Sequence, residues 1–196
     1  MKKDFIVPVL ILSLICLFVS GALAVVNSFT DPIIKNNENE RAQAARKEII
    51  PQAEDFIKLE IDNLPNSIIE AYKTSNNAGY IFTVTTHGYG GEIKLICGVD
   101  PKGFIIRTAV LSHNETQGLG TPIFEEPYSG LFWNKDKNAI ESIDVISGAT
   151  ITSNAYKNSI RDSLLAYDIL IAEYYKEMSD FLLDWVNNGH ILEVLE

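Results

Sequence analysis

Asp144-Val145-Ile146-Ser147-Gly148-Ala149-Thr150-Ile151-Thr152-Ser153 is the stretch that decides how this chain is read. Six of the seven residues from 147 to 153 are small or carry a hydroxyl. An apolar Val-Ile pair precedes them and a long helical pattern follows. Taken as residues alone, this is a tight turn feeding a helix. Gly148 supplies backbone freedom at positive φ, or close approach to a partner. Ser153 or Asn154 is placed to accept a hydrogen bond from the first free N–H groups of the helix. Free N–H groups at a helix start, with hydroxyls beside them, suit a phosphate. A plain capped turn fits the same residues, because short motifs match by chance.

Downstream, Tyr156, Ile160, Leu164, Tyr167, Ile171, Tyr174, Met178 and Leu182 follow at steps of three or four. That is one face of a long helix, and most of it reads as core packing. Upstream, residues 80–86, 93–99 and 104–111 are rich in β-branched and aromatic side chains and read as three strands. Gly-rich residues 87–91 and the turn 100–103 join them as an antiparallel meander. Residues 56–61 and 68–73 each read as a short strand or a loop. Residues 124–132 read as a short helix, and 144–146 as a short strand entering the motif turn.

The motif resembles the flavinylation motif Asp-x-x-(Ser/Thr)-Gly-Ala-Thr of an FMN-binding domain. That domain is shared by the G subunit of the Rnf complex and the C subunit of the sodium-pumping NADH:quinone oxidoreductase. Every motif position from Asp144 to Thr150 is matched. Gly88-Tyr89-Gly90-Gly91-Glu92-Ile93 and His113-Asn114-Glu115-Thr116-Gln117-Gly118-Leu119-Gly120 also look like that family, in the family's order. The resemblance covers the N-terminal apolar segment and residues 79–163.

The resemblance implies FMN held by a phosphoester to the side-chain oxygen of Thr150. That chemistry needs an accessible hydroxyl with little bulk beside it, and Ser147, Gly148 and Ala149 meet the need. Thr152 is the rival acceptor. Asp144 is read by the modifying enzyme, or holds the turn by an Asx-type hydrogen bond. Glu115, Thr116, Gly118, Leu119 and Gly120 form a second expected wall, with Glu115 or Thr116 bonding flavin edges, and Tyr89 sits on a turn that can face the flavin. Gln117 stands where the family commonly has Pro, which removes stiffness from this loop. The resemblance also implies an ApbE-type flavin transferase. It implies an electron-relay role beside other membrane, iron–sulfur and flavin subunits, in a complex coupling ferredoxin/NAD electron transfer to Na⁺ or H⁺ movement. The matching component of the quinone reductase is the alternative.

Residues 5–26 form an uncharged apolar run of about 22 residues, enough to cross ~30 Å of hydrocarbon as a helix. Lys2 and Lys3 precede it, so the positive-inside rule puts the N-terminus in the cytoplasm and the rest outside. Ala22-Leu23-Ala24 leaves a cleaved signal peptide as the competing reading. Residues 36–48 are good helix formers, ended by Pro51. The expected division is 1–27 as cytoplasmic start and anchor, 28–75 as a juxtamembrane helical region, and 76–196 as the FMN-binding domain. The expected fold class is α+β: one transmembrane helix, then one extracytoplasmic domain with an antiparallel sheet and a long C-terminal helix.

Composition closes off other classes. Hydrophobic residues make up 46% and charged ones 21%, which describes a globular chain. The net charge is −10, which argues against a nucleic-acid partner. Cys16 and Cys97 are too far apart in role for a disulfide framework, and His87, His113 and His190 are scattered. No cluster has zinc or iron–sulfur spacing, so no metal site is expected. Ser147, His113 and Asp144 assemble on paper into a hydrolase triad, but the chain has no Gly-x-Ser-x-Gly elbow. A membrane-anchored binding module without redox chemistry is a third class, which finding a bound flavin would exclude.

Overall fold

The computed structural model describes residues 2–187; His190 and the other residues after 187 lie outside the described residues. Contacts divide the chain into two compact units, one ending at Gln43 and one starting at Ala44.

Helix α1 (Lys2–Ile49) runs through the first unit and into the second. The two helical stretches expected from the sequence are therefore one unbroken helix. Pro32 interrupts the hydrogen bonding between them without ending it. Nearby hydroxyls take local carbonyls, Ser28 Oγ to the Val25 carbonyl at 2.7 Å and Thr30 Oγ1 to that of Val26 at 2.8 Å. Among the described residues, α1 is the one helix long and apolar enough to cross a membrane. Its large apolar side chains, such as Leu17 and Phe18, are exposed, as a lipid-facing surface requires.

The second unit is built on a five-stranded antiparallel sheet. Strands β1 (Phe56–Leu59), β2 (Ile68–Thr74), β3 (Tyr80–His87), β4 (Glu92–Val99) and β5 (Ile105–His113) are hydrogen-bonded in sequence order. This is the meander that the turn clusters predict. β1 and β2 precede residue 76 and belong to the same sheet as the later strands. Alternation along β3 and β4 sends Phe82, Val84, Leu95 and Cys97 to one face. Helix α3 (Thr150–Asn187) lies on that face and contributes Tyr156, Ile160, Leu164 and Tyr167 to the core.

The opposite face carries Ile81, Ile96 and Gly98, and the end of α1 packs there. Ile49 is seated on Gly98, so closely that a Cβ at Gly98 would lie 2.2 Å from its Cγ2. Arg46 stacks on the Tyr72 ring at 3.9 Å and pairs with Glu70 at 3.6 Å.

Between β5 and α3 the chain makes short helical turns. These are Thr121–Phe124, helix α2 (Glu126–Ser129), Gly130–Phe132 and Ala139–Ser142. From this stretch Phe132 packs edge-on against the fully buried Tyr156 ring and against Tyr128, which lies tilted to Tyr156. The short strand expected at 144–146 is absent. Those residues are irregular, because the Ile146 amide goes to a side chain of α3 and not to a strand carbonyl.

Candidate functional site

The site is built where the 147–149 turn enters α3. Gly148 has φ +85°, the left-handed conformation that a tight turn of this kind needs and that Gly adopts without strain. The Ala149 amide donates to the Ile146 carbonyl at 3.0 Å, and Ala149 is buried. The first helical backbone bond runs from the Ser153 amide to the Ala149 carbonyl at 2.9 Å.

The capping expected of Ser153 or Asn154 is not what forms. The helix starts earlier, at Thr150, so Ser153 sits inside its first turn. The Ser153 hydroxyl accepts from the upstream Ile146 amide at 3.1 Å, not from a helix amide. Among the described residues no protein group accepts the N–H of Thr150, Ile151 or Thr152. Three open amides at the start of a long helix, where the backbone dipoles leave partial positive charge, are a donor set that fits a phosphate. Thr150 is exposed beside them, and Thr152 is buried.

Tyr89, Gly148, Ala149, Thr150, Ile151 and Thr152 line a cavity of about 260 Å³. Tyr89 comes from the β3–β4 turn, and its amide donates to Thr152 Oγ1 at 3.3 Å. Leu119 approaches the turn at Gly148, with its Cδ1 3.7 Å from where a Cβ on Gly148 would stand. Three stretches far apart in sequence therefore meet along residues 148–152.

The other residues expected at the site have the following surroundings. Glu115 is partly buried, and its Oε1 accepts from the Gly90 amide at 3.1 Å. The Thr116 carbonyl accepts the amides of Leu119 and Gly120 at 3.2 and 2.9 Å, which closes the loop. Gly118 has φ +77° and donates its amide to Thr121 Oγ1 at 2.9 Å. Gly120 is buried, Gln117 exposed. Ser147 and Asp144 are both exposed. The Asp144 carboxylate makes no hydrogen bond to the turn among the described residues, so the Asx-type bond does not form. Its carbonyl, in contrast, accepts from the Tyr128 hydroxyl at 3.0 Å.

Several supporting residues were not singled out by sequence reasoning. Lys157 Nζ donates to the carbonyls of Glu141 and Ile143 at 2.7 and 3.2 Å. Arg161 grips the Glu141 carboxylate through Nε and a terminal nitrogen at 2.8 and 2.9 Å. Together they tie the entry to the motif onto α3. The i, i+4 spacing of Lys157 and Arg161 puts both cations on one helix face, which was the available signal. Cys97 lies in the core with its thiol pushed up to about 12 by burial, partly opposed by a bond from Ser163. It is a packing residue without thiolate character. His113 packs on Phe124, and its Nδ1 accepts the Glu115 amide, so it is not part of a triad with Ser147. A larger groove of about 450 Å³ lies along the middle of α3, lined by Leu59, Tyr80 and Tyr174 among others. It includes no residue of the motif.

With a helix long and apolar enough to cross a membrane, a meander sheet and an open helix start suited to a phosphate, the chain falls in the class of FMN-binding-domain proteins. The family model described as FMN-binding domain matches residues 88–165, from the Tyr89 turn into α3. The G subunit of the ion-translocating oxidoreductase complex of Shewanella piezotolerans is 30% identical over 195 residues, covering 86% of this chain and 92% of that one. The G subunit of the proton-translocating ferredoxin:NAD(+) oxidoreductase complex of Clostridium ljungdahlii is 29% identical, covering 75% and 83%. The G subunit of the Na(+)-translocating ferredoxin:NAD(+) oxidoreductase complex of Acetobacterium woodii is 27% identical, covering 82% and 90%. The chain belongs to the family of G subunits of ion-translocating oxidoreductase complexes, the Rnf type.

Proposed function

We propose that this chain carries FMN joined through its phosphate to Thr150 Oγ1, and relays electrons within an Rnf-type complex. The observation that carries the reading is the open start of α3. An exposed Thr150 hydroxyl stands next to three unclaimed amides, behind a turn kept small by Ser147, Gly148 and Ala149. The amides of Thr150, Ile151 and Thr152 hold the phosphate oxygens. Tyr89, which lines the cavity, and Leu119, which lies against Gly148, would offer apolar surface to the ring. When bound, FMN supplies one- and two-electron chemistry; the protein supplies its position and electrostatics.

Attachment is made by an ApbE-type flavin transferase using FAD. Thr150 Oγ1 forms a bond to the phosphorus of the FMN half. The diphosphate bond breaks, AMP leaves, and the hydroxyl proton passes to a base or solvent. Asp144, exposed and without a partner in the turn, is a recognition point for that enzyme.

α1 is retained as a single-pass anchor in the cell membrane. Lys2 and Lys3 keep the N-terminus cytoplasmic, and the flavin domain lies outside. Its partners are the other membrane, iron–sulfur and flavin subunits. The complex couples electron flow between ferredoxin and NAD to movement of Na⁺ or H⁺, as the names of the Acetobacterium and Clostridium relatives say of theirs.

The test is the mass of the intact protein made with and without a competent transferase. The expected result is an added FMN phosphoester only with the enzyme. No mass gain with an active enzyme would refute the assignment.

A further inference from the structure

We propose that Thr152 and Glu115 are positioning residues. They capture successive amides of the 88–91 turn, and so hold Tyr89 at the cavity beside Thr150. Neither is the flavin's acceptor or a ligand of its ring. The proposal rests on the reading of Thr150 as the attachment point.

Three consecutive amides of this turn go to three different places. The Gly88 amide closes the turn on the Gly91 carbonyl at 2.8 Å. The Tyr89 amide goes to Thr152 Oγ1, in the first turn of α3, at 3.3 Å. The Gly90 amide goes to Glu115 Oε1, in the loop after β5, at 3.1 Å. The turn is thus fastened on one side to the helix and on the other to the loop.

Neither acceptor has room for a second task. Thr152 is 1% exposed, so its hydroxyl is turned inward where that of Thr150 is open to solvent. The Glu115 carboxylate is threaded between glycines. A Cβ on Gly88 would lie 2.1 Å from its Oε1, and one on Gly120 would lie 2.6 Å from its Oε2. A Cβ on Gly90 would lie 2.2 Å from the Asn114 carbonyl oxygen. The glycines of the 88–91 turn and Gly120 therefore serve this close approach.

Tyr89 is the one residue of the 88–91 turn with a side chain beyond hydrogen. It is 74% exposed although its own backbone is fastened to a buried group. A rigid turn that presents a single aromatic ring at the rim of a cavity suits a flat aromatic ligand.

The experiment follows backbone amide exchange by NMR in the full chain, made without transferase and held in detergent. Thr152→Val keeps the side-chain shape and removes the acceptor. Exchange at Tyr89 should rise about tenfold or more, with the amides of Phe82 and Leu95 in the sheet unchanged. Thr152→Ser should restore protection. Glu115→Ala should do the same at Gly90, and Glu115→Gln, which keeps an oxygen acceptor, should restore part of it. If Thr152→Val disturbs the sheet, Thr152→Ala is read in its place.

The same variants made with transferase are weighed. Thr152→Val should still gain FMN mass, at lower yield. Unchanged exchange at Tyr89 in the folded variants overturns the proposal. So does loss of the FMN mass in Thr152→Val together with its retention in Thr150→Val. If the unsubstituted chain never gains FMN, the attachment reading fails, while the exchange data on flavin-free protein still decide the roles of Thr152 and Glu115.

Discussion

The side-chain oxygen of Ser153 accepts a hydrogen bond from the backbone N–H of Ile146, at 3.1 Å. Ser153 is fully buried in the first turn of α3, and Ile146 precedes the helix. The bond therefore joins the two ends of the motif turn, while the amides of Thr150, Ile151 and Thr152 between them stay open. Ser153→Ala strands a partly buried amide, at a cost of about 1–3 kcal/mol. In urea the unfolding midpoint should fall while the slope stays the same. A midpoint equal to that of the unsubstituted protein would show that water satisfies the amide instead.

The far face of the sheet makes a second prediction. Gly98 leaves room for Ile49, whose Cγ2 would be 2.2 Å from any Cβ there. Both residues are buried, so Gly98→Ala should destabilise by about 1–3 kcal/mol through overpacking. Ile49→Ala destabilises as well, by opening a cavity. Combined, the two should cost clearly less than their sum, since each makes space for the other. Strict additivity would mean that Ile49 does not rest on Gly98 in solution.

Much of this architecture was legible from local pattern. β3, β4 and β5 stand out because alternating β-branched and aromatic residues are bounded by glycine turns. The meander follows because consecutive antiparallel strands need only short turns. The stripe on α3 was legible as a helix face, but not where it leaves the core. Tyr156 to Tyr167 are buried, whereas Tyr174, Met178 and Leu182 continue the same face into the open. Periodicity records the face, and only the extent of the sheet decides how much of it is covered. The position of Thr150 at a helix start was legible in outline. The use of Glu115 was not, because a carboxylate wedged among Gly88, Gly90 and Gly120 depends on packing across residues distant in sequence. The strand expected at 144–146 failed for a similar reason. Ile146 meets Ser153 before it can meet a strand.

Glu141 gives the entry segment a dependence on pH. Hydrogen bonds from Arg161 hold its carboxyl below the ordinary value near 4.5 against desolvation, with the charges of Arg161 and Lys157 adding to the lowering. A carboxyl depressed in the folded state contributes stability in full above the unfolded value. That contribution is lost as the pH falls through the folded value. Glu141→Gln removes it. Thermal unfolding of the two proteins should differ most near neutral pH, with the unsubstituted chain ahead, and converge in acid below pH 4.5. Parallel curves across the whole range would show that the Arg161 pair is too exposed to matter.

The membrane segment is tested at its first residue. Residues 5–26 and the Lys2-Lys3 flank support a retained anchor, and Ala22-Leu23-Ala24 supports a cleaved leader. Terminal sequencing of protein extracted from membranes should begin at Met1 or Lys2. A start near Val25 would end the reading as an anchor and leave a released domain.

The attachment residue is tested by the smallest change available. Thr150→Val keeps the side-chain volume nearly constant and removes only the hydroxyl. Thr150 is exposed at the first position of α3, so the change should move stability by no more than about 0.5 kcal/mol. Made with its transferase, the unsubstituted protein should keep flavin fluorescence through denaturing electrophoresis, because a phosphoester survives unfolding and a bound cofactor does not. The Thr150→Val band should be dark. Its unfolding curve should match the unsubstituted protein made without transferase, which separates loss of the acceptor from loss of the fold. Thr150→Ser, which restores a hydroxyl at the same place, should recover at least part of the fluorescence if the transferase tolerates a missing methyl. A bright Thr150→Val band would move the bond to another hydroxyl. Ser147 is then the first candidate, because it is the other exposed hydroxyl of the turn, whereas Thr152 and Ser153 are buried.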